Sequence, residues 1–204
     1  MISDSPDEYF TIKRPAKDKI KVEGSIFIAT AIPVDSEEEA ESRIKKIAKE
    51  FFDATHNCFA WRIICSGRES VKSSDAGEPR GTARKPILAA IQSENLYNVL
   101  VVVTRYFGGI KLGRGGLSRA YRASAQSALK KAEKVAGWIT CQMALSYPLS
   151  MTGKVNTILG KYGARVLESS FKVRAGLRIE VRISLTETIK KALTDATNGQ
   201  VTFE

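Results

Sequence analysis

Val99-Leu100-Val101-Val102-Val103-Thr104-Arg105-Tyr106-Phe107-Gly108-Gly109-Ile110-Lys111-Leu112-Gly113-Arg114-Gly115-Gly116 leaves an unbroken apolar run and enters a stretch with five glycines in nine positions. Val99 to Val103 reads as a strand covered on both faces, because neither face carries the polar residues that water contact would call for. After the glycines, Leu117, Ala120, Tyr121, Ser124, Ala125, Ala128, Leu129 and Ala132 recur at helical spacing. Most of that face is small, so the helix can lie close against a sheet. Its opposite side shows Arg119, Arg122, Gln126 and Lys130. A buried strand, a glycine loop and a basic helix in series make this an α+β chain with its functional surface centred on residues 105–122.

Working outward toward the N-terminus, residues 82–93 read as a helix with Pro86 in its first turn, where proline is tolerated. Ser66 to Gly81 is polar and carries Gly67, Gly77, Pro79 and Gly81, which predicts a long loop. Asn57 to Cys65 alternates as a strand, with Phe59, Trp61, Ile63 and Cys65 on one face and Cys58, Ala60, Arg62 and Ile64 on the other. Ser36-Glu37-Glu38-Glu39 has the form of a capping box, and Ala40, Ile44, Ile47, Ala48 and Phe51 then recur at helical spacing over 36–52. Lys19 to Pro33 predicts one long strand or two short ones.

Toward the C-terminus, Ala136-Gly137-Trp138 marks a boundary, giving expected domains over 1–136 and 139–204. Beyond it come strand 140–147, helix 150–161, strand 164–174, strand 176–185, helix 186–196 and a short strand 200–203. This βαββαβ order is that of a ferredoxin-like domain. Aromatic stacking of bases on its sheet is not expected, because Phe171 is placed on the inner face.

Charge narrows the partners. Over residues 105–134, Arg105, Lys111, Arg114, Arg119, Arg122, Lys130, Lys131 and Lys134 stand against a single acid, Glu133, in a chain of formal charge +10. A localised basic stripe points to a polyanion such as RNA or DNA, or to a phosphorylated ligand, with a solvated helix face as the bland alternative. No apolar run approaches the ~18 residues needed to cross a bilayer. Met1 to Phe10 is acidic and lacks the layout of a signal peptide, so a cytoplasmic protein is expected. The three cysteines, Cys58, Cys65 and Cys141, have no CxxC spacing and fit free buried thiols.

Two constellations could carry chemistry. The first is an anion site: converging backbone N–H groups of Gly108, Gly109, Gly113, Gly115 and Gly116, the following helix N-terminus, and Arg84, Arg105, Lys111, Arg114, Arg119 and Arg122 as cations. It is not a Walker loop, since Gly113 is followed by Arg114-Gly115 rather than Lys and Ser/Thr. The second is the lone His56 with Asp75 and Glu78, an acid/base or metal cluster on residue type alone. It lacks any paired-His or Cys/His metal spacing, so no metal and no cofactor is expected.

Gly81-Thr82-Ala83-Arg84-Lys85-Pro86-Ile87-Leu88 followed by Val101 to Gly113 resembles the signature of the YigZ/IMPACT family, and Ser74-Asp75-Ala76-Gly77-Glu78-Pro79 and Ala54-Thr55-His56-Asn57-Cys58 are similar to further family motifs. Ala76 stands where the family has a second aspartate and Arg84 where it has a glycine. The resemblance implies a first domain of the βαβ type seen in a small-subunit ribosomal protein and in domain IV of elongation factor G, and a second like domain V of that factor. It also implies regulation of translation, with eukaryotic relatives competing for a partner protein. The expected function is therefore a non-enzymatic protein binding RNA or the ribosome. A hydrolase using His56, Asp75 and Glu78, and a protein-binding adaptor using Tyr106, Phe107 and the acidic helix, stand as alternatives.

Overall fold

The computed structural model describes residues 7–204 apart from Ser66, with Cys65 described without its side chain. Tyr9–Gly137 forms one compact unit; Trp138–Glu204, together with Asp7 and Glu8, forms another. Strand β1 (Glu8–Ile12) pairs with β7 (Lys134–Trp138) in a two-stranded ribbon.

The first unit is built on a five-stranded sheet of β2 (Ala16–Val22), β3 (Ser25–Pro33), β4 (His56–Cys65), β5 (Arg68–Ser74) and β6 (Val99–Tyr106), in the order β2-β3-β6-β4-β5. Every neighbouring pair is antiparallel. The apolar run of β6 takes the centre, with Val99 to Val103 fully buried. Its alternate residues feed two cores. Val99, Val101 and Val103 join Cys58, Ala60, Phe27 and the helices α2 (Arg84–Ser93) and α3 (Gly113–Lys131) on one face. Leu100 and Val102 join Trp61, Ile63 and α1 (Glu37–Glu50) on the other. Because β3 and β4 each run antiparallel to β6, they are parallel to one another, so β3-α1-β4 is a β-α-β unit with β6 inserted between its strands.

Local chemistry accounts for most boundaries. The Ser36 side chain accepts from the Glu39 N–H, and Glu39 accepts in turn from the Asp35 N–H, which closes the capping box of α1. On α3, Leu117, Ala120, Tyr121, Ser124, Ala125, Ala128 and Leu129 are buried, the small-residue face read from the sequence. Residues 19–33 resolve into two strands, because Glu23 and Gly24 both adopt positive φ and turn the chain back. The expected loop 66–81 is half strand: β5 pairs with β4 from Arg68 to Ser74. As an edge strand with exposed and half-buried residues it carries no apolar alternation, which is why its sequence reads as loop.

The second unit runs β8 (Thr140–Pro148), α4 (Thr152–Lys161), β9 (Arg165–Phe171), β10 (Arg174–Arg182), α5 (Thr186–Ala196) and β11 (Thr202–Phe203), with sheet order β11-β8-β10-β9. Met143, Leu145, Tyr147, Leu177, Ile179 and Val181 pack with Val155, Leu159, Ile189 and Leu193 from the helices. Phe171 pairs with Ala175 and shares its face, yet it is 60% exposed at the end of the edge strand, so inward facing did not mean burial.

One contact fixes how the glycine loop leaves β6. A Cβ on Gly108 would overlap the Gly24 carbonyl and the Ser25 nitrogen, so two backbones touch where only glycine fits. Gly108→Ala is expected to destabilise the protein by about 1–3 kcal/mol in urea unfolding, as overpacking does. Gly109→Ala, at φ +86 with open space around it, should cost only about 1 kcal/mol; equal losses would show that the backbone contact is not tight.

Candidate functional site

Asp75 begins the site. Its carboxylate accepts from the N–H groups of Gly81 at 2.7 Å, Ala83 at 3.0 Å and Arg84 at 2.9 Å, and so caps α2, whose Ala83 N-cap has no capping side chain of its own. Burial pushes this carboxyl up, but the three N–H donors and the Arg84 guanidinium outweigh it and hold the group below its ordinary value. The anion position at the α2 N-terminus is thus filled from within the chain. Arg84, expected from the sequence as a phosphate ligand, lies 3.3 Å from the same carboxylate, so part of its charge is already met within the chain.

Arg105 needs a second correction. Strand β6 turns it into the protein, where its side chain is 7% exposed and its Nη1 donates to Glu78 Oε1 at 2.6 Å. Tyr121 on α3 donates its hydroxyl to the same oxygen at 2.9 Å. The guanidinium lies 5.5 Å from the ring centroids of both Phe27 and Phe107. A buried guanidinium is tolerable only when paired, and Glu78 is that pair. Gly108 is corrected in the same way: its N–H donates to Ser25 Oγ at 3.1 Å and its missing side chain serves packing, not anion binding.

His56 stands opposite Arg105 across β4 and β6. Its Nδ1 donates to the Ala76 carbonyl at 2.9 Å, which leaves Nε2 as the acceptor of the neutral ring. Ala76 and Gly77 both adopt positive φ to bring that carbonyl round, and a Cβ on Gly77 would press on the imidazole. His56 Nε2 is 3.9 Å from Glu78 Oε1, too far for a hydrogen bond. The expected acid/base trio is therefore not assembled, because Asp75 is spent on a helix cap and Glu78 on Arg105. Among the described residues no group of three or more His, Cys, Asp or Glu side chains could hold a metal ion. Cys58, buried beside this cluster, has its thiol pushed up to about 12 by burial and is no nucleophile at neutral pH. The side chain of Cys65 lies outside the described residues.

The cations on and beside α3 divide sharply. Lys131 is paired with Asp18 at 2.7 Å and Lys134 with Glu94. Among the described residues, Lys111, Arg114, Arg119, Arg122 and Lys130 make no ion pair. Arg114 donates only to the Arg80 carbonyl, at 3.0 Å. Arg119 and Arg122 line an open groove of about 340 Å³ between α2 and α3, with Lys85 and Ser118. Arg119 also reaches a second groove of about 450 Å³ shared with Lys111 and Gly116. A third cavity, about 400 Å³, opens at the start of α3 between Lys111, Arg114, Phe107 and His56. Gly113 starts the helix at φ +66, and Gly115 and Gly116 form its first turn. The sequence missed Lys85 as a member of this face; a cation in the first turn of the neighbouring helix was the available signal.

Comparison with known proteins covers the same elements. Residues 23–129 match the Impact N-terminal domain, and residues 145–200 match a domain of unknown function, DUF1949. The chain is 35% identical to the IMPACT family member YvyE of Bacillus subtilis, over 94% of this chain and 88% of that one. It is 39% identical to an IMPACT family member of Thermus thermophilus, over 90% and 99%. To Protein IMPACT of Oryctolagus cuniculus it is 38% identical, over 44% of this chain and 29% of that one. A crystal structure of a hypothetical protein superposes with TM-score 0.76 at 26% identity, covering 97% of this chain and 96% of the other.

The Asp75 cap has a pH consequence. A carboxyl whose folded pKa lies below its unfolded value, about 3.9, contributes stability above that pH and loses it as pH falls through the folded pKa. Asp75→Asn is expected to be about 1 kcal/mol less stable at pH 7, because hydrogen bonds to a charged acceptor outweigh those to a neutral one by about that much. In denaturant titrations at stepped pH, the gap should close below about pH 4; a gap constant down to pH 2 would contradict the assignment.

Proposed function

Because the chain belongs to the IMPACT family, and because α3 carries cations that its own carboxylates leave free, we propose that it is a non-enzymatic regulator of translation that binds RNA, free or in the ribosome. The carrying observation is the division of charge along α3 and the segments that flank it. Lys131 and Lys134 are neutralised internally, whereas Lys111, Arg114, Arg119 and Arg122 are not. Arg119 and Arg122 flank one open groove with Lys85, and Lys111 and Arg119 flank another in which Glu23 is the one acidic residue, an arrangement suited to tracking a phosphate backbone rather than enclosing a small substrate. Arginine forks match phosphate oxygens in pairs, which adds geometry to the charge.

Hydrolysis is less well supported. Both candidate carboxylates already serve the fold, and His56 keeps no hydrogen-bonded acid beside it. Tyr106 and Phe107 offer a smaller surface for a protein partner, with the Tyr106 hydroxyl already donating to Asp53.

The test is binding of labelled single-stranded RNA, followed by anisotropy across salt. Contacts to four phosphates predict a slope of log K against log salt of about −3, from roughly −0.7 per phosphate. Arg119→Glu with Arg122→Glu should lower affinity at least tenfold and flatten the slope. Binding that ignores both salt and these substitutions would remove the proposal.

A further inference from the structure

The third cavity differs from the two open grooves in chemistry. It is walled by Phe107, Pro79, Leu112 and Leu117 as well as by Lys111 and Arg114, and no carboxylate lines it. Its volume of about 400 Å³ falls in the range of small-molecule sites, about 300–1,000 Å³. We propose that this cavity takes a single nucleotide, its phosphate on the first amides of α3 beside Lys111 and Arg114 and its base against Phe107.

Three further observations converge on it. First, α3 is a 19-residue helix whose N-cap, Leu112, supplies no capping side chain, and no acidic residue stands in its first turn. The opening N–H groups therefore lack the internal anion that Asp75 gives to α2. Second, Arg105 lines the cavity with its side chain only 7% exposed, and Glu78 and Ser25 hold its Nη1 and Nη2, which fixes the guanidinium in the cavity wall. Third, the ring of Phe107 is 47% exposed and braced by the Arg105 guanidinium, an aromatic surface that water covers poorly and a base covers well. His56, whose Nδ1 donates to the Ala76 carbonyl, stands at the same wall.

This deepens the RNA-binding reading and rests on it: the grooves track the strand, and the cavity holds one of its nucleotides, the same unit that a free mononucleotide would supply. Titration of the full chain with AMP, with adenosine and with inorganic phosphate, read by calorimetry, tests it. AMP should bind, and adenosine and phosphate should each bind at least tenfold more weakly, since each lacks half of the recognised group. Phe107→Ala and Phe107→Leu should both weaken AMP at least tenfold with thermal unfolding nearly unchanged. Arg114→Ala should weaken AMP and phosphate alike.

A 5′-phosphorylated RNA that outcompetes its 5′-hydroxyl counterpart for AMP would identify a strand end as the source; equal competition would identify an internal or free nucleotide. Failure of AMP to bind, or binding untouched at Phe107, while labelled RNA still responds to salt and to Arg119 and Arg122, overturns the cavity alone. Loss of the RNA response with AMP binding intact overturns the RNA reading alone.

Discussion

A guanidinium carried into a protein interior must meet a carboxylate there, and in this fold Arg105 meets Glu78. Arg105 is the penultimate residue of the most buried strand of the sheet, and Glu78 sits in the segment linking β5 to α2. Tyr121 reaches the same carboxylate from α3, so one oxygen, Glu78 Oε1, joins a strand, a loop and a helix. Desolvation makes such a pair a poor source of net stability, while breaking it from one side is expensive. Its effect is to specify where the loop lies. With the loop placed, Asp75 reaches the α2 N-terminus, the Ala76 carbonyl reaches His56, and Pro79 forms part of the cavity wall at α3.

The same constraint sorts the basic residues. A cation adjacent to an acid of its own chain is already satisfied and attracts little from outside, as at Lys131 with Asp18, whose carboxyl is drawn down to about 2 by its bonds from Lys131 and Ser127. A cation on the helix face without such a neighbour keeps its field for a ligand. Total charge over residues 105–134 therefore overstates the binding surface. Apart from Lys130 in the last turn, the residues that remain free cluster around the first half of α3, close to the grooves and to the uncapped helix start.

Much of the fold was legible because periodicity and burial agree in it. The two faces of β4, the capping box at Ser36 and the small-residue face of α3 all follow from spacing. Strand β5 was not legible, since an edge strand with little burial has no apolar rhythm to show. The direction of Arg105 could have been found: a period of two sets it in the row of Val101 and Val103, which face α2 and α3. Its partner could not, because Glu78 and Asp75 lie three residues apart in a polar loop, and only the chain path decides which meets the arginine and which the helix. The close packing of Gly108 against Gly24 was not legible for a related reason. A glycine kept for close backbone approach and one kept for an anion look alike in sequence.

The most direct measurement is a double-mutant cycle on Glu78 and Arg105, with stability by denaturant unfolding and RNA binding by anisotropy. Glu78→Ala alone should cost about 3–5 kcal/mol by stranding a buried charge, and Glu78→Leu with Arg105→Met should recover most of it. The folded double variant should keep the salt dependence of RNA binding, because Arg105 holds the loop and contributes no phosphate contact. A double variant no more stable than the single, or one that folds yet loses the salt dependence, would contradict the account.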